Sequence, residues 1–133
     1  MFTIHVESPL TLGNVTVDGA GHHVTVFGLT PFGVLPDTTS ARLQNLDLVG
    51  GSIAGGAILN HGVLEVTNCT LHDSYGYYGG GAIANSPTGT LTLRDSTFTN
   101  NANGVVMVSL RPVRALERKR SLVSPGFKVN MAT

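Results

Sequence analysis

The stretch that decides the fold is Gly56-Ala57-Ile58-Leu59-Asn60, followed by Val63-Leu64-Glu65-Val66-Thr67-Asn68-Cys69-Thr70-Leu71, because the chain repeats it. The second copy reads Gly81-Ala82-Ile83-Ala84-Asn85 and then Thr90-Leu91-Thr92-Leu93-Arg94-Asp95-Ser96-Thr97-Phe98. The copies are 25 residues apart at the glycines and 27 apart in the second segment, since Pro87-Thr88 is inserted. An internal period of roughly 20–50 residues is typical of solenoids, in which each repeat forms one structural unit.

Each repeat contains three short apolar segments separated by polar turn residues. Leu64-Glu65-Val66 alternates apolar and polar residues, as do Cys69-Thr70-Leu71 and their counterparts in the second copy, and this alternation predicts half-buried strands. A more degenerate copy, Leu43-Gln44-Asn45-Leu46-Asp47-Leu48, comes earlier. Three strands per turn of the chain predict a parallel β-helix, whose strands pair between turns about 4.8 Å apart. We therefore expect an all-β, right-handed parallel β-helix of about four rungs, with an irregular or short helical C-terminal tail.

Stacking of the repeats places equivalent residues in columns. The predicted inward columns are Leu48, Leu71 and Phe98, and Leu43, Val66 and Leu93. Cys69 aligns with Leu46 and Ser96. It is the only cysteine, so we expect a small buried apolar side chain and no intrachain disulfide.

A polar column is predicted at one corner, where Asn45, Asn68 and Asp95 align. Asn and Asp tolerate left-handed backbone angles, and stacked amides can bond from rung to rung. These three residues are therefore predicted to form a structural ladder. Asn60 and Asn85 repeat at a second corner and are predicted to be turn residues as well.

The N-terminal third repeats less regularly. Phe2–Val6, Leu10–Leu12, Val15–Val17 and Val24–Val26 alternate, which predicts one or two early rungs. The segment from Leu29 to Ser40 contains two prolines and a glycine, so it is predicted to be a loop that leaves the solenoid.

The charges divide the chain at its last repeat. Residues 1–103 carry two basic and seven acidic side chains, whereas residues 104–133 carry six basic and one acidic. We therefore predict a parallel β-helix over residues 1–103 and an atypical basic tail over residues 104–133. The tail has two interpretations: a cap with a helix that starts at Pro112, or the product of an out-of-frame or truncated gene.

Several motifs add a family resemblance: Val15-Thr16-Val17-Asp18-Gly19-Ala20-Gly21, Gly80-Gly81-Ala82-Ile83-Ala84-Asn85 and Asp95-Ser96-Thr97-Phe98-Thr99-Asn100-Asn101. Together they resemble right-handed β-helix repeat proteins of the pectin-lyase-like superfamily. The Gly-Gly-Ala-Ile and Phe-x-x-Asn pieces are most similar to the repeats of polymorphic outer membrane proteins and related bacterial surface proteins. The resemblance covers about residues 2–103. It implies the fold, which hosts lyases, hydrolases, adhesins and passenger domains alike.

No catalytic, cofactor-binding or metal-binding residue is predicted. The resemblance implies calcium-binding aspartates for a lyase, or paired aspartates with Gly-His-Gly for a hydrolase, and Gly21-His22-His23 matches the latter only in part. The five histidines share no ligand spacing. The glycine-rich segment of Ser74–Gly80 carries Tyr75, Tyr77 and Tyr78, which are the candidate contact residues for sugar rings or a protein partner.

The sequence thus predicts a fragment of a secreted or cell-surface β-helix repeat protein with a structural or adhesive role and no catalysis of its own. The expected partners are a carbohydrate or a host or partner surface protein, with end-to-end self-association and no nucleic acid. The alternative is a carbohydrate-active β-helix, a polysaccharide lyase or glycoside hydrolase, whose catalytic rungs lie elsewhere. No signal peptide or membrane-spanning segment is recognisable in the sequence.

Overall fold

The computed structural model of the chain describes residues 2–22, 24–52, 56–76, 82–101, 106–108 and 113–115. These ranges contain β-strands and no helix. In chain order the strands are β1 (Phe2–Val6), β2 (Leu10–Leu12), β3 (Thr16–Asp18), β4 (Val24–Gly28), β5 (Phe32–Val34), β6 (Ala41–Gln44), β7 (Leu46–Ser52), β8 (Ile58–Asn60), β9 (Val63–Thr67), β10 (Thr70–His72), β11 (Tyr75–Gly76), β12 (Ile83–Asn85), β13 (Thr90–Arg94), β14 (Thr97–Thr99), β15 (Val106–Val108) and β16 (Val113–Ala115).

The strands build three parallel sheets around one core. Sheet A has the order β1-β4-β7-β10-β14, sheet B has β15-β12-β8-β5-β2, and sheet C has β16-β13-β9-β6-β3. The chain visits the three sheets in turn and returns to each one rung further along, which makes a parallel β-solenoid of about four turns. The prediction of an all-β parallel solenoid is confirmed, while its right-handed sense stays a prediction.

In-register pairing stacks equivalent side chains along the solenoid. Leu48 pairs with Leu71 and Leu71 with Phe98 in sheet A, and Leu43, Val66 and Leu93 align in the same way in sheet C. All six are fully buried. Both predicted inward columns are confirmed. Each strand contributes one of these apolar residues, and stacking of the rungs joins them into a continuous core.

Cys69 lies in that core, as predicted. Its backbone N–H donates to Ser96 Oγ at 3.2 Å, so the serine of the next rung satisfies a buried donor. Burial raises the pKa of the Cys69 thiol to about 11, although backbone hydrogen bonds oppose the shift. The thiol therefore stays protonated and behaves as an apolar side chain near neutral pH.

The loop predicted for Leu29–Ser40 is wrong, because this segment contains β5. Phe32 and Val34 are buried and pair with Leu10 and Leu12 of the preceding rung and with Ile58 and Asn60 of the following one. The sequence pattern does not predict this strand because its outward residue is Gly33, so Phe-Gly-Val lacks the polar residue that marks alternation. Pro31 directly precedes the strand and accepts from the backbone N–H of Leu10 through its carbonyl, which needs no N–H of its own.

The solenoid pairing continues beyond residue 103. β15 pairs with β12 and β16 pairs with β13, both parallel. Val113–Ala115 is therefore a strand, so the prediction of a helix that starts at Pro112 is wrong for these three residues. The other residues of the predicted tail lie outside the described residues. The boundary between residues 103 and 104, and the choice between a cap and an out-of-frame product, stay predictions.

The buried column of Leu48, Leu71 and Phe98 leads to a prediction about stability. Replacing the fully buried Leu71 by Ala removes a side chain packed between two neighbouring rungs, and we expect the free energy of unfolding to fall by about 2–5 kcal/mol. Urea unfolding monitored by circular dichroism measures this change. The matched control is Leu29→Ala, since Leu29 is largely exposed and its loss should change the stability by less than about 0.5 kcal/mol. Equal effects of the two substitutions would contradict the described packing.

Candidate functional site

The outer face of sheet A carries the most concentrated ionisable cluster among the described residues. Asp47 lies on β7 and points outward, since Thr25 and Thr70 flank it in the same outward column. Its carboxylate accepts from Thr25 Oγ1 at 3.0 Å on one side. On the other side it lies 2.9 Å from Nε2 of His72. Parallel pairing thus brings together residues from three successive rungs.

His72 is held between two carboxylates. Its Nε2 faces Oδ1 of Asp47, and its Nδ1 lies 2.7 Å from Oδ2 of Asp73. Partial burial opposes the charge of the ring, but the hydrogen bonds with Asp73 and Asp47 outweigh burial and raise the pKa of His72 above its usual value. The protonated ring can donate to both carboxylates at once, which favours the charged form.

Asp73 reaches the ring because of its backbone. It has a φ of +50°, in the left-handed region that Asp and Asn tolerate better than most residues. The following turn of the solenoid repeats this conformation at Asn100, which has a φ of +53°. The hydrogen bond from His72 lowers the pKa of Asp73, so this carboxylate is ionised over the whole neutral range.

Two surface clefts are lined by residues of sheet A and its adjoining turns. A polar cleft of about 230 Å³ is lined by Asp47 together with Gly21, His22, Val24, Asn45, Leu46, Asn68 and Thr70. A more apolar cleft of about 370 Å³ is lined by His5, Val6, Glu7, Phe27, Gly28, Leu29, Val49 and Gly50. In the apolar cleft the rings of His5 and Phe27 stack with centroids 4.6 Å apart, nearly parallel. Outward Asp47 and Thr70 line the polar cleft, and outward Phe27 and Val49 line the apolar one, so the outer face of sheet A contributes to both clefts.

The predicted corner ladder is present as a row of left-handed residues. Asn45, Asn68 and Asp95 have φ values of +57°, +51° and +47°. Asn68 Nδ2 donates to Asn45 Oδ1 at 2.8 Å, and Asn45 Nδ2 donates to Asp18 Oδ1 at 2.6 Å. The ladder therefore extends one rung further towards the N-terminus than the sequence indicated. Hydrogen bonds from Gln44, Ala20 and Asn45 lower the pKa of Asp18, which keeps this terminal acceptor ionised.

Asn60 and Asn85 form a second, buried ladder at the ends of β8 and β12. Asn60 Nδ2 donates to Asn85 Oδ1 at 2.7 Å and to the Thr90 carbonyl at 3.1 Å. Asn85 Nδ2 donates to the Gly89 carbonyl at 3.0 Å. Neither asparagine is among the described residues with positive φ, so they act through buried amides rather than through a left-handed turn. Their hydrogen bonds fix the turn between sheets B and C.

The tyrosine segment is only partly described. Tyr75 is exposed, and its strand β11 pairs with the end of β7 next to Val49 and Gly50 of the apolar cleft. A Cβ on Gly51 would collide with the Tyr75 backbone, so glycine permits this close approach. Tyr77 and Tyr78 lie outside the described residues, and the contact role of all three tyrosines stays a prediction.

Glu65 and His22 are two further polar residues of the described surface, and each contacts neighbouring side chains. Glu65 on sheet C lies between Arg42 and Arg94, at 3.7 and 3.5 Å from their Nε atoms, in an exposed network. His22 lines the polar cleft and contacts the Phe2 ring edge-on, while His23 lies outside the described residues. Among the described residues no group of three His, Cys, Asp or Glu side chains is arranged to hold a metal ion.

Comparisons with protein families, curated proteins and solved structures found no match for this chain. The strand pairing therefore identifies the fold as a parallel β-solenoid. In the part of the chain that the structure describes, no helix has the length and apolar character needed to cross a membrane.

The cluster of Asp47, His72 and Asp73 was not predicted from the sequence. Aligning the repeats places Asp47 opposite Thr70, and no two acidic residues share that column. The signal that could have found the cluster is His72, which is two residues from Thr70 and therefore lies on the same face. The contribution of Asp73 depends on its left-handed angle, which alternation within a strand does not predict.

The raised pKa of His72 predicts a pH-dependent stability. A pKa that is higher in the folded state stabilises the protein fully below the unfolded value of about 6.5, and this contribution is lost as the pH rises through the folded value. We therefore expect the free energy of unfolding of the wild type to fall relative to His72→Gln as the pH rises from 5.5 to about 9. Urea titrations at each pH measure the difference. A constant difference between wild type and His72→Gln at every pH would contradict the arrangement.

Proposed function

We propose that the chain belongs to a secreted or cell-surface β-solenoid repeat protein, similar in kind to polymorphic outer membrane protein repeats, and that it binds its partner through the outer face of sheet A. The observation that carries the proposal is that outward residues of this face line both a polar and an apolar cleft, and that Asp47 of the polar cleft contacts His72. A structural or adhesive module needs a rigid scaffold that displays one face for contact.

The rigidity of the face supports a binding role. Asp47, Phe27 and His72 lie on strands that are paired on both edges, so backbone hydrogen bonds from two neighbouring rungs fix each position. Side chains held on paired strands need little further ordering when a ligand binds, and less affinity is lost to conformational entropy. A loop-borne site would lack this advantage.

The chemistry of the face fits a carbohydrate. Phe27 and the stacked His5 ring offer an apolar surface of the kind on which the C–H face of a sugar ring packs. In the neighbouring cleft Asn45, Asn68 and Asp47 supply amide and carboxylate groups that can bond sugar hydroxyls. A carbohydrate is therefore the preferred partner class, and a host or partner surface protein is the other.

The test is affinity electrophoresis of the purified chain in gels that contain neutral, acidic or amino polysaccharides. We expect retardation by at least one class, and we expect both Phe27→Ala and Asp47→Asn to weaken it at least about tenfold, which corresponds to one lost contact of about 1.4 kcal/mol. Glu65→Gln on sheet C is the matched control and should bind as the wild type does. If no polysaccharide retards the chain but an immobilised surface protein binds it in the same variant order, the partner is a protein. Retention of binding by both sheet A variants would contradict this face as the site.

A polysaccharide lyase or glycoside hydrolase is the second candidate function. The observation in its favour is that Asp47 and Asp73, from adjacent rungs, both contact one histidine beside a cleft. Glycoside hydrolysis uses two carboxyl groups, of which the general acid needs a raised pKa. The pKa of Asp73 is lowered instead, which suits a base or an electrostatic role and leaves the acid unassigned.

A turnover assay separates this second candidate from binding alone. The chain is incubated with the polysaccharides that retard it, and new reducing ends and unsaturated sugar products are measured. Binding without product, in wild type and in Asp47→Asn alike, supports the adhesive role. Product formation that Asp47→Asn abolishes while Glu65→Gln preserves it would establish the enzyme instead.

A further inference from the structure

Asp47 connects the polar cleft with the histidine cluster of sheet A. It lines the polar cleft, and its carboxylate is held from both neighbouring rungs. Thr25 Oγ1 of the preceding rung donates to Oδ2 at 3.0 Å, and Nε2 of His72 in the following rung lies 2.9 Å from Oδ1. The Asp47 side chain is only 16% exposed. Thr25 and His72 therefore both help to set the orientation in which a ligand meets this carboxylate.

His72 can donate to both of its carboxylates only while its ring is protonated. The imidazolium has two N–H donors, one for Asp47 and one for Asp73, whose Oδ2 lies 2.7 Å from Nδ1. A neutral ring has a single N–H, so one of the two contacts then joins an acceptor to an acceptor. Loss of one proton from His72 therefore changes how one of the two carboxylates is held.

The groups around His72 favour the protonated ring. Strand β10, which ends at His72, is paired with β7 and β14. Asp47 approaches the ring from β7, the three residues of β14 carry no ionisable group, and the chain that follows supplies Asp73 and then Tyr75 of β11. The strands of sheet A, as far as the structure describes them, contain no Lys or Arg. Partial burial lowers the pKa of His72, but the hydrogen bonds with Asp73 and Asp47 outweigh it, so the net shift is upward.

We propose that His72 is a positioning residue for the polar cleft: its imidazolium fixes the Asp47 carboxylate in the orientation that a ligand binds, and loss of the proton to solvent releases that carboxylate. The contact with Asp73 is the shorter one and joins adjacent residues, so a neutral ring keeps its hydrogen on Nδ1 and directs the Nε2 lone pair at Asp47. Asp47 then rotates away from Nε2, and a ligand has to order the carboxylate itself, which weakens binding. This positioning role rests on the proposed binding by sheet A and adds regulation by pH to it.

Affinity electrophoresis between about pH 5.5 and pH 8.5 tests this role with neutral and uronic-acid polysaccharides, because neither kind of polymer titrates in this range. Each gel is compared with a gel of the same pH that contains no polysaccharide. We expect the affinity of the wild type to fall about two- to tenfold as the pH rises through the pKa of His72, the effect of ordering one side chain on binding. In His72→Gln the side-chain amide does not titrate, so the affinity should be the same at every pH.

Asp73→Asn is the sharper variant, because it changes the charge state of the ring without changing the cleft. Asp73 does not line the polar cleft, and asparagine suits its backbone, since Asn100 has nearly the same left-handed angle in the following turn. Loss of the carboxylate lowers the pKa of His72, so the fall in affinity should move to lower pH. The matched control Glu65→Gln removes a carboxylate from sheet C and should follow the wild-type profile. Circular dichroism verifies that each variant is folded.

The outcomes separate the role of His72 from the binding function itself. If the wild type binds with the same affinity at every pH, sheet A remains the binding face and the role of His72 is overturned. A fall in affinity that persists in His72→Gln also overturns it, because another ionisable group of the cleft, such as His22, is then responsible. An unchanged pH profile in Asp73→Asn has the same consequence. No retardation by either kind of polysaccharide at any pH overturns the binding of these polymers together with the role of His72.

Discussion

The parallel pairing of each strand with its counterpart one rung away is the constraint on which the rest of the structure depends. Because the pairing is in register, every position in one rung is tied to the same position in the next. An apolar residue that points inward in one rung must therefore meet an apolar residue in the neighbouring rungs, or the core gains a polar group without a partner. The buried columns of sheets A and C satisfy this requirement from β4 to β14.

The corners obey the same constraint in a polar form. Where the chain turns from sheet C to sheet A, a left-handed residue is needed in successive rungs, and Asn or Asp supplies it. In the stack, the Asn68 amide donates to Asn45, and the Asn45 amide donates to the carboxylate of Asp18. The side-chain hydrogen bonds of this ladder therefore run from Asn68 towards the N-terminal rung and end at the acceptor Asp18. At the turn from sheet B to sheet C, buried Asn60 and Asn85 achieve the same stacking with carbonyl partners.

The outward faces are free of this packing requirement, and they differ from one another. Sheet C carries an exposed network of Arg42, Glu65 and Arg94, which solvent screens strongly. Sheet A instead combines ring stacking, two clefts and a histidine held by two carboxylates. This concentration on one face makes the outer face of sheet A the candidate contact surface of the solenoid.

The repeat in the sequence was sufficient to predict the solenoid, its inward columns and the left-handed corner residues, because in-register stacking turns spacing along the chain directly into neighbours in space. It was not sufficient for β5, where Gly33 hides the alternation and the neighbouring rungs select the strand. The cluster of Asp47, His72 and Asp73 was likewise decided by the tertiary structure. Its residues lie in different columns of adjacent rungs. The contact of Asp73 with His72 also depends on a left-handed backbone angle, which alternation within a strand does not predict.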